Sequence, residues 1–216
     1  MAASKSSRQW LRRHVSDPYV RQAKAQGYRS RAAYKLLELD AKDRLLHPGA
    51  KVVDLGAAPG GWAQVAARKV GRCGRVVALD LLEIAPIPGV SVLRGDVRDA
   101  AALELVQGVL DADADLVLSD LSPNLSGIAD VDQARAAELV LLAMRFALKV
   151  LKPSGVFVVK VFQGAAFSAV LAAAKGAFLS VTMRKPGASR GESRETYLIA
   201  RAPQGGQASA SRKLVD

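Results

Sequence analysis

The fold of this chain is decided by residues 52–62, Val-Val-Asp-Leu-Gly-Ala-Ala-Pro-Gly-Gly-Trp. An apolar strand runs into a glycine-rich turn, and the turn opens a helix. Glycine lets the backbone adopt positive φ and approach a ligand closely, and the first N–H groups of a helix have no partner within it. Because such a loop lies at the carboxyl edge of a parallel sheet, where ligands bind, the stretch predicts a site for a nucleotide-like cofactor.

The spacing of the glycines narrows the choice of cofactor. Glycines at 56, 60 and 61 match neither the G-x-G-x-x-G of dinucleotide binding nor the G-x-x-x-x-G-K-[ST] of a phosphate-binding loop. An acid that closes the first strand (Asp54), followed by this looser loop, looks like the first motif of S-adenosylmethionine-dependent methyltransferases. In that interpretation Trp62 lines the methionine end of the pocket. The alternative is a tight strand–helix turn that holds no ligand.

The rest of the chain alternates between strand and helix patterns, which indicates a parallel sheet covered by helices on both faces. Strands are predicted at 51–55, 75–80, 90–94, 114–119, 155–162, 178–185 and 194–201. Helices are predicted at 30–39 with Ser30 as N-cap, and near 60–70, 99–110, 131–151 and 166–177. The fold class is therefore α/β, Rossmann-like, with a mostly parallel seven-stranded sheet that ends in an antiparallel hairpin. We expect a basic N-terminal arm (1–29), one methyltransferase domain (30–202) and a disordered tail (203–216).

Charge and composition restrict the partners. The chain of 216 residues carries a net charge of +11, and residues 1–35 hold nine Lys or Arg against one acid. Such an arm suggests nucleic acid, or alternatively a solubilising terminus. Cys73 is the only cysteine, and the two histidines have no neighbours at metal-ligand spacing, so we expect a reducing compartment and no metal. With no secretory signal and no apolar run of membrane-spanning length, the prediction is a cytoplasmic protein without a membrane partner, most simply a monomer.

Three acids stand where predicted strands end, the position of ligand contacts in such sheets. Asp80 can accept hydrogen bonds from the ribose hydroxyls of a nucleoside, and Asp96 can accept one from an adenine amino group. Asp120 follows the fourth strand. A single Asp after a strand is more often a turn former, but three that accompany a glycine loop favour a ligand site.

From about Ser7 to Ala202 the chain resembles the FtsJ/RrmJ (RlmE) family of ribosomal RNA 2′-O-methyltransferases. The resemblance is carried by residues 31–36 (RAAYKL), 54–62, 119–127 (SDLSPNLSG), 158–164 (VVKVFQG) and 193–197 (SRETY). It implies a methyl-transfer site at Lys35, Asp120, Lys160 and Glu195. It also implies cofactor contacts at Gly60, Trp62, Asp80, Asp96 and Asp120. The implied cofactor is S-adenosyl-L-methionine, and the implied substrate is a uridine ribose in large-subunit rRNA, presented by the assembled subunit.

The residues themselves agree with this resemblance. Lys160 stands in an otherwise apolar strand, and a buried lysine needs a partner or a use. Two ammonium and two carboxylate groups that converge in a partly dry pocket are expensive unless they act. Lys160 can orient a ribose hydroxyl or take its proton. The alternative is a lysine at an exposed strand end, or one that only neutralises an acid.

The sequence leaves two other functions as alternatives. A base methyltransferase is disfavoured because residues 120–124 (DLSPN) contain one proline and no aromatic, and because Cys73 lies away from the strand ends. A non-catalytic RNA-binding or ribosome-assembly factor would keep the fold without the chemistry. For the ribose methyltransferase, as for an RNA-binding factor, basic side chains are expected to flank the pocket and to bind phosphates. They are Arg8, Arg12, Arg13, Arg21, Lys24, Arg29 and Arg31 of the arm and Arg184, Lys185, Arg190 and Arg194 of the hairpin.

Overall fold

Seven strands and six helices make up the computed structural model, which describes residues 17–124, 126–191 and 193–204. The strands are β1 (Lys51–Leu55), β2 (Arg75–Asp80), β3 (Val90–Arg94), β4 (Ala114–Ser119), β5 (Leu151–Phe162), β6 (Phe178–Arg184) and β7 (Glu195–Pro203). The helices are α1 (Pro18–Ala25), α2 (Ala32–Asp43), α3 (Gly61–Val70), α4 (Ala100–Leu110), α5 (Ala129–Val150) and α6 (Phe167–Ala177). Within the described ranges, no helix combines the length and apolar character needed to cross a membrane.

The strands form one sheet in the order β3-β2-β1-β4-β5-β7-β6. The first five strands pair in parallel, whereas β7 lies antiparallel between β5 and β6. This arrangement confirms the predicted mostly parallel seven-stranded sheet with a C-terminal antiparallel pair. The order reverses between β1 and β4, so the carboxyl ends of these two strands border a crevice of the kind in which α/β proteins bind ligands.

Side chains of alternate strand residues pack into two separate cores. One face of the sheet, with Val53 and Leu55 from β1, packs against α4, α5 and α6. The opposite face, with Val52 from the same strand, packs against α2 and α3. Asp54 and Lys160 occupy strand positions on this second face, next to apolar neighbours such as Leu118 and Val158. The α2–α3 layer is therefore the one that covers Asp54 and Lys160.

Three local expectations need correction. The arm contains the helix α1, which begins at Pro18 after the N-cap Asp17 and was not predicted. Ser30 does not cap α2; the N-cap is Arg31, and the Ser30 hydroxyl is buried without a hydrogen-bond partner. Strand β5 begins at Leu151 rather than 155 because residues before Gly155 already pair with β4 through an irregular register. Residues 1–16 and 205–216, including most of the predicted tail, lie outside the described residues.

Candidate active site

A cavity of about 650 Å³ lies at the carboxyl edge of the sheet. That volume is within the range of small-molecule and cofactor sites. Its walls come from the residues that follow β1, β2, β3 and β4 and from one face of α5. The lining residues are Gly56, Ala58, Leu79, Asp80, Leu81, Leu82, Gly95, Asp96, Val97, Arg98, Asp120, Leu121, Ser122, Pro123, Asn124, Arg135, Glu138, Leu139 and Leu142.

Gly56 and Asp80 shape the cavity at the ends of β1 and β2. Gly56 adopts φ +77°, and a Cβ there would lie 2.7 Å from the Leu121 side chain and 3.1 Å from its Cα, so only glycine lets the chain after β4 approach. The Asp80 carboxylate accepts hydrogen bonds from the N–H groups of Ala58 (2.9 Å) and Leu82 (2.8 Å). Asp80 therefore holds the glycine-rich loop in place and also faces the cavity.

Asp96 lines the cavity beside Arg98. The Arg98 guanidinium donates to both carboxylate oxygens, at 2.7 Å from Nη2 and at 3.0 and 3.1 Å from Nε, and its backbone N–H adds a bond of 2.9 Å. These hydrogen bonds lower the pKa of Asp96 and keep its carboxylate ionised. We call Gly56, Asp80 and Asp96, with the loops that carry them, the cavity loops.

The next cavity wall, Asp120, is bonded to two buried side chains. Lys160 Nζ donates to the Asp120 backbone oxygen at 2.8 Å and lies 3.1 Å from its Oδ1, with only 7% of the lysine side chain exposed. The Tyr197 hydroxyl donates to the same Oδ1 at 3.0 Å. Burial, followed by the charge of Asp120, raises the pKa of Tyr197, so its phenol stays protonated and acts as a donor.

A second ion pair lies against the same tyrosine. Lys35 Nζ from α2 contacts Glu195 Oε1 from β7 at 2.6 Å, and the ammonium lies 5.7 Å from the centre of the Tyr197 ring. Burial opposes the ionisation of Glu195, but Lys35, together with Ser189 and Lys160, outweighs it, and the pKa of Glu195 is lowered overall. The structure thus brings together the four residues predicted for the transfer site, Lys35, Asp120, Lys160 and Glu195, around Tyr197. We call these five residues the charged cluster.

This geometry suits the handling of a proton on a hydroxyl group. A lysine ammonium has three donors, and two of those on Lys160 point to Asp120. The third N–H of the ammonium group is enough to bind the oxygen of a substrate next to the cavity. Both carboxylates are paired with cations, so the cluster can hold charge without a metal. Among the described residues, no three His, Cys, Asp or Glu side chains gather as metal ligands.

Asp54 is a buried carboxyl group that sequence reasoning noticed only as the end of the first strand. It has no exposed surface, and neither oxygen has a hydrogen-bond partner in the described chain. Burial, reinforced by the charge of Asp120, raises the pKa of Asp54 to about 8. The nearby N–H of Ala63 opposes this rise without reaching ordinary hydrogen-bond geometry. The group is therefore mostly protonated at neutral pH.

Gly60 and Trp62, both predicted to contact the cofactor, do not line the cavity. A Cβ on Gly60 would lie 2.6 Å from Ile87 and 3.2 Å from Arg29, so this glycine faces protein. The Trp62 side chain is buried, its indole N–H donates to Ala32 at 2.7 Å, and its ring lies 5.5 Å from Tyr197. Trp62 supports the charged cluster from behind rather than forming a cavity wall.

Several cations expected to grip phosphates are bonded inside the protein instead. Arg29 donates to the carbonyl oxygens of Pro59 (3.3 Å), Ala85 (2.6 Å) and Pro86 (2.6 Å), which joins the glycine-rich loop to the chain after β2. Arg31 pairs with Asp17 and bonds to Ala188, and Arg184 makes a two-point contact with Asp43. The exposed members of the predicted set are Arg21, Lys24, Lys185, Arg190 and Arg194. Arg8, Arg12 and Arg13 lie outside the described residues.

Tyr197 is the member of the charged cluster that was not predicted from the sequence. It stands two residues after Glu195 on β7, so both side chains point to the same face of the sheet, and Tyr197 pairs with Lys160 across the strands. That spacing is the signal that identifies it once Glu195 has been chosen. Cys73, by contrast, is exposed between α3 and β2, away from the cavity and the charged cluster.

Comparison with known proteins agrees with these features. A family model described as FtsJ-like methyltransferase matches residues 28–202. Two similar relatives bear the name ribosomal RNA large subunit methyltransferase E. The one from Azoarcus sp. is 55% identical over 92% of this chain and 98% of its own length, and the one from Thiobacillus denitrificans is 54% identical over 93% and 91%.

Solved structures give the same result for the fold. A Plasmodium falciparum protein described as a ribosomal RNA methyltransferase superimposes with a TM-score of 0.71 at 29% identity, covering 82% of this chain and 98% of its own. A Clostridium thermocellum protein described as an rRNA methylase shares the fold at a TM-score of 0.57 and 18% identity, over 78% and 96% of the two chains.

Proposed function

Because this chain belongs to the FtsJ-like methyltransferase family, we propose that it transfers a methyl group from S-adenosyl-L-methionine to the 2′-hydroxyl of a uridine ribose in large-subunit ribosomal RNA. The observation that carries the proposal is the charged cluster, in which the Lys160–Asp120 and Lys35–Glu195 pairs meet around Tyr197 beside the cavity. The names of the relatives support rRNA of the large subunit as the substrate.

The residues of the cavity fit this cofactor. When bound, S-adenosylmethionine supplies the methyl group on a positively charged sulfur. The carboxylates of Asp80, Asp96 and Asp120 line the cavity and favour a cation. Asp80 is suited to hold the ribose hydroxyls, because each of its oxygens accepts only one backbone N–H and retains a lone pair. Asp96 would accept from the adenine amino group once Arg98, whose side chain is exposed, gives up one of its hydrogen bonds to the carboxylate. In this proposal Gly60 and Trp62 act by shaping the loop and the cluster behind it.

Lys160 acts on the substrate hydroxyl in the proposed reaction. A ribose 2′-hydroxyl is a weak nucleophile and a weak acid, so it must be oriented and must lose its proton as the new bond forms. Lys160 Nζ binds and orients the oxygen and takes its proton as one of the lysine's own protons passes to Asp120 Oδ1, 3.1 Å away, and the Tyr197 hydroxyl holds that carboxylate in place. The Lys35–Glu195 pair, which lies against the Tyr197 ring, positions the ribose in this proposal. Low exposure of both pairs excludes water and strengthens each contact.

We further propose that the protein acts as a monomer in the cytoplasm on the assembled large subunit. The exposed cations Arg21, Lys24, Lys185, Arg190 and Arg194 would hold phosphates. Binding should therefore weaken steeply with salt.

The test uses large subunits and free rRNA from cells that lack this protein. Each is incubated with the full chain and isotopically labelled S-adenosylmethionine, and the nucleosides are then identified by mass spectrometry. We expect label in a 2′-O-methyluridine, more on subunits than on free rRNA, and none with Lys160→Met. Label on a base would overturn the proposal. Binding of RNA without cofactor uptake would instead support a non-catalytic assembly factor.

A further inference from the structure

The loop between β6 and β7 lies directly beside the charged cluster and is bound through the backbone of one residue, Ala188. Ala188, which has no exposed surface, donates its N–H to both carboxylate oxygens of Glu38, at 3.1 and 3.2 Å. Its carbonyl oxygen accepts a hydrogen bond from the Arg31 guanidinium. Both backbone polar groups of this residue are thus bound by charged side chains of α2 and its N-cap.

Arg31, Lys35 and Glu38 lie on one face of the α2 segment, at spacings of four and three residues. The middle residue forms the ion pair with Glu195, and the outer two grip the loop. A rigid helix therefore fixes the position of the loop relative to Lys35. The ion pair of Lys35 and the two contacts of Arg31 and Glu38 with the loop therefore keep fixed positions relative to one another.

Helix α1 braces both gripping residues. Asp17 pairs with Arg31, and the Tyr19 hydroxyl donates to Glu38 Oε1 at 3.3 Å. Asp17 also lies 3.8 Å from Arg190, on the exposed side of the loop. These contacts already restrict the rotamers of Arg31 and Glu38. The two side chains therefore lose less conformational entropy when they bind the loop.

Ser189, the residue after Ala188, reaches the charged cluster. The Ser189 hydroxyl is buried, and its proximity contributes to lowering the pKa of Glu195, although the two groups fall short of ordinary hydrogen-bond geometry. Lys35 from α2 and Lys160 from β5 act in the same direction, against the burial of the carboxylate. Tyr197, from the same strand as Glu195, faces these groups as a neutral phenol.

We propose that Arg31 and Glu38 are positioning residues, which hold the N–H and carbonyl groups of Ala188 so that the next residue, Ser189, lies with its hydroxyl against Glu195 and fixes the carboxylate that pairs with Lys35. The consequence for turnover rests on the proposed function, whereas the placement of the carboxylate does not. The role differs from phosphate binding, which the basic character of Arg31 first suggested.

The main test is the titration of Glu195 by NMR in protein labelled at glutamate carboxyl carbons, without RNA or cofactor. We expect Ser189→Ala and Glu38→Ala to raise the pKa of Glu195. Glu38→Gln, which keeps an oxygen that accepts from Ala188, should restore a near-normal titration. Ser180→Ala, at an exposed position of β6, and Glu104→Ala, at an exposed position of α4, serve as matched controls. An unchanged titration in Ser189→Ala, which removes one oxygen and leaves the fold intact, would overturn the proposal even if Glu38→Ala failed to fold.

Turnover gives the second readout. We expect kcat to fall about 3–10-fold in Ser189→Ala and Glu38→Ala, the range of coupling between neighbouring side chains, with cofactor affinity and the activity of Glu38→Gln within about twofold of the original. If the original protein transfers no methyl group but the titration responds to Ser189→Ala, the proposed function fails and the positioning role stands. If transfer occurs and kcat is unchanged in Ser189→Ala and Glu38→Ala, the positioning role fails.

Discussion

The cavity loops and the charged cluster border the same crevice but are built from different kinds of contact. In the cavity loops, Asp96 is bonded to Arg98 and Asp80 to Leu82, each two positions away, and Asp80 also accepts from Ala58, 22 residues away. In the charged cluster, Asp120 is bonded to partners 40 and 77 residues away along the chain, Lys160 and Tyr197. Local sequence therefore contributes much of the first region, whereas the topology of the sheet forms the second.

The two regions also differ in exposure. The Arg98 side chain is 64% exposed, whereas that of Lys160 is 7% exposed, although both pair with an aspartate. Exposed ion pairs contribute little because water competes for them, and breaking a buried pair is costly because one charge stays unpaired. We therefore expect substitutions in the charged cluster to affect catalysis, and those in the cavity loops to affect cofactor affinity.

The largest expected effect comes from Lys160→Met, which keeps the length of the side chain and removes its charge. We expect methyl transfer to fall by about 10²–10⁴-fold, the usual contribution of a positioned proton-transfer group. Cofactor affinity, measured by calorimetry, should change by less than about threefold if the two regions act separately. Lys152→Met is the matched control, because Lys152 lies on the same strand and pairs with Asp115 far from the cavity. Normal turnover in Lys160→Met would remove this lysine from the mechanism.

Asp80→Ala probes the cavity loops. It removes an acceptor of two backbone N–H groups and, in the proposed function, of the ribose hydroxyls. We expect the dissociation constant of S-adenosylmethionine to rise about 10–100-fold, which corresponds to the loss of charge-assisted hydrogen bonds. At saturating cofactor, transfer should recover. Asp113→Ala, at an exposed acid, is the control. If excess cofactor did not restore transfer, Asp80 would affect catalysis as well as cofactor affinity, and the separation of roles between the two regions would be wrong.

Asp54→Asn tests the buried carboxyl group between the two regions. A folded pKa of about 8 lies above the unfolded value of 3.8, so the folded state binds more protons in that window and stability falls as pH rises through it. The asparagine variant lacks this loss. We expect the difference in unfolding free energy, variant minus original, to grow by up to about 1.4 kcal/mol per pH unit between pH 5 and 7. Thermal unfolding at several pH values measures it, and a pH-independent difference would show that Asp54 ionises normally.

Tyr197→Phe gives the smallest expected effect. It deletes the hydroxyl that bonds to Asp120 and keeps the ring against Trp62 and Lys35. We expect kcat to fall about 3–10-fold with little change in cofactor affinity, as for one hydrogen bond. Tyr28→Phe, on a ring that packs against Tyr34 instead, is the control. Unchanged kcat would show that Lys160 alone is sufficient to hold Asp120.

Much of the fold was accessible from local pattern. The bounds of β1, β2, β3 and β4 agree with prediction, because each is a short apolar run between turn residues. Helix α1 was missed although Asp17-Pro18 is a helix-start pair, since the charge of the segment suggested only an arm. Ser30 failed as a cap because the turn buries its hydroxyl near Gly61.

The charged cluster was accessible only through resemblance to a family. Nothing in the spacing of Lys35, Asp120, Lys160 and Glu195 shows that β7 lies between β5 and β6, the arrangement that brings Glu195 and Tyr197 to Lys160. The internal bonds of Arg29 and Arg31 were equally hidden, since a basic residue near a site has the same sequence appearance whether it binds phosphate or carbonyl oxygens. Burial separates the two, and burial is a property of the folded chain.

Asp120 is a wall of the cavity and, at the same time, the only support of Lys160 among the hydrogen bonds of the described chain. A change in the cavity that displaces Asp120 therefore also displaces the Lys160 ammonium group. Any attempt to enlarge the site for a bulkier cofactor analogue must spare this aspartate and its neighbour Leu121, because a shift there would move the ammonium group away from its target. Lys160 has no hydrogen bond to the side of the cavity formed by β2 and β3 within the described residues, so redesign has most freedom there, provided that Asp80 and Asp96 are kept.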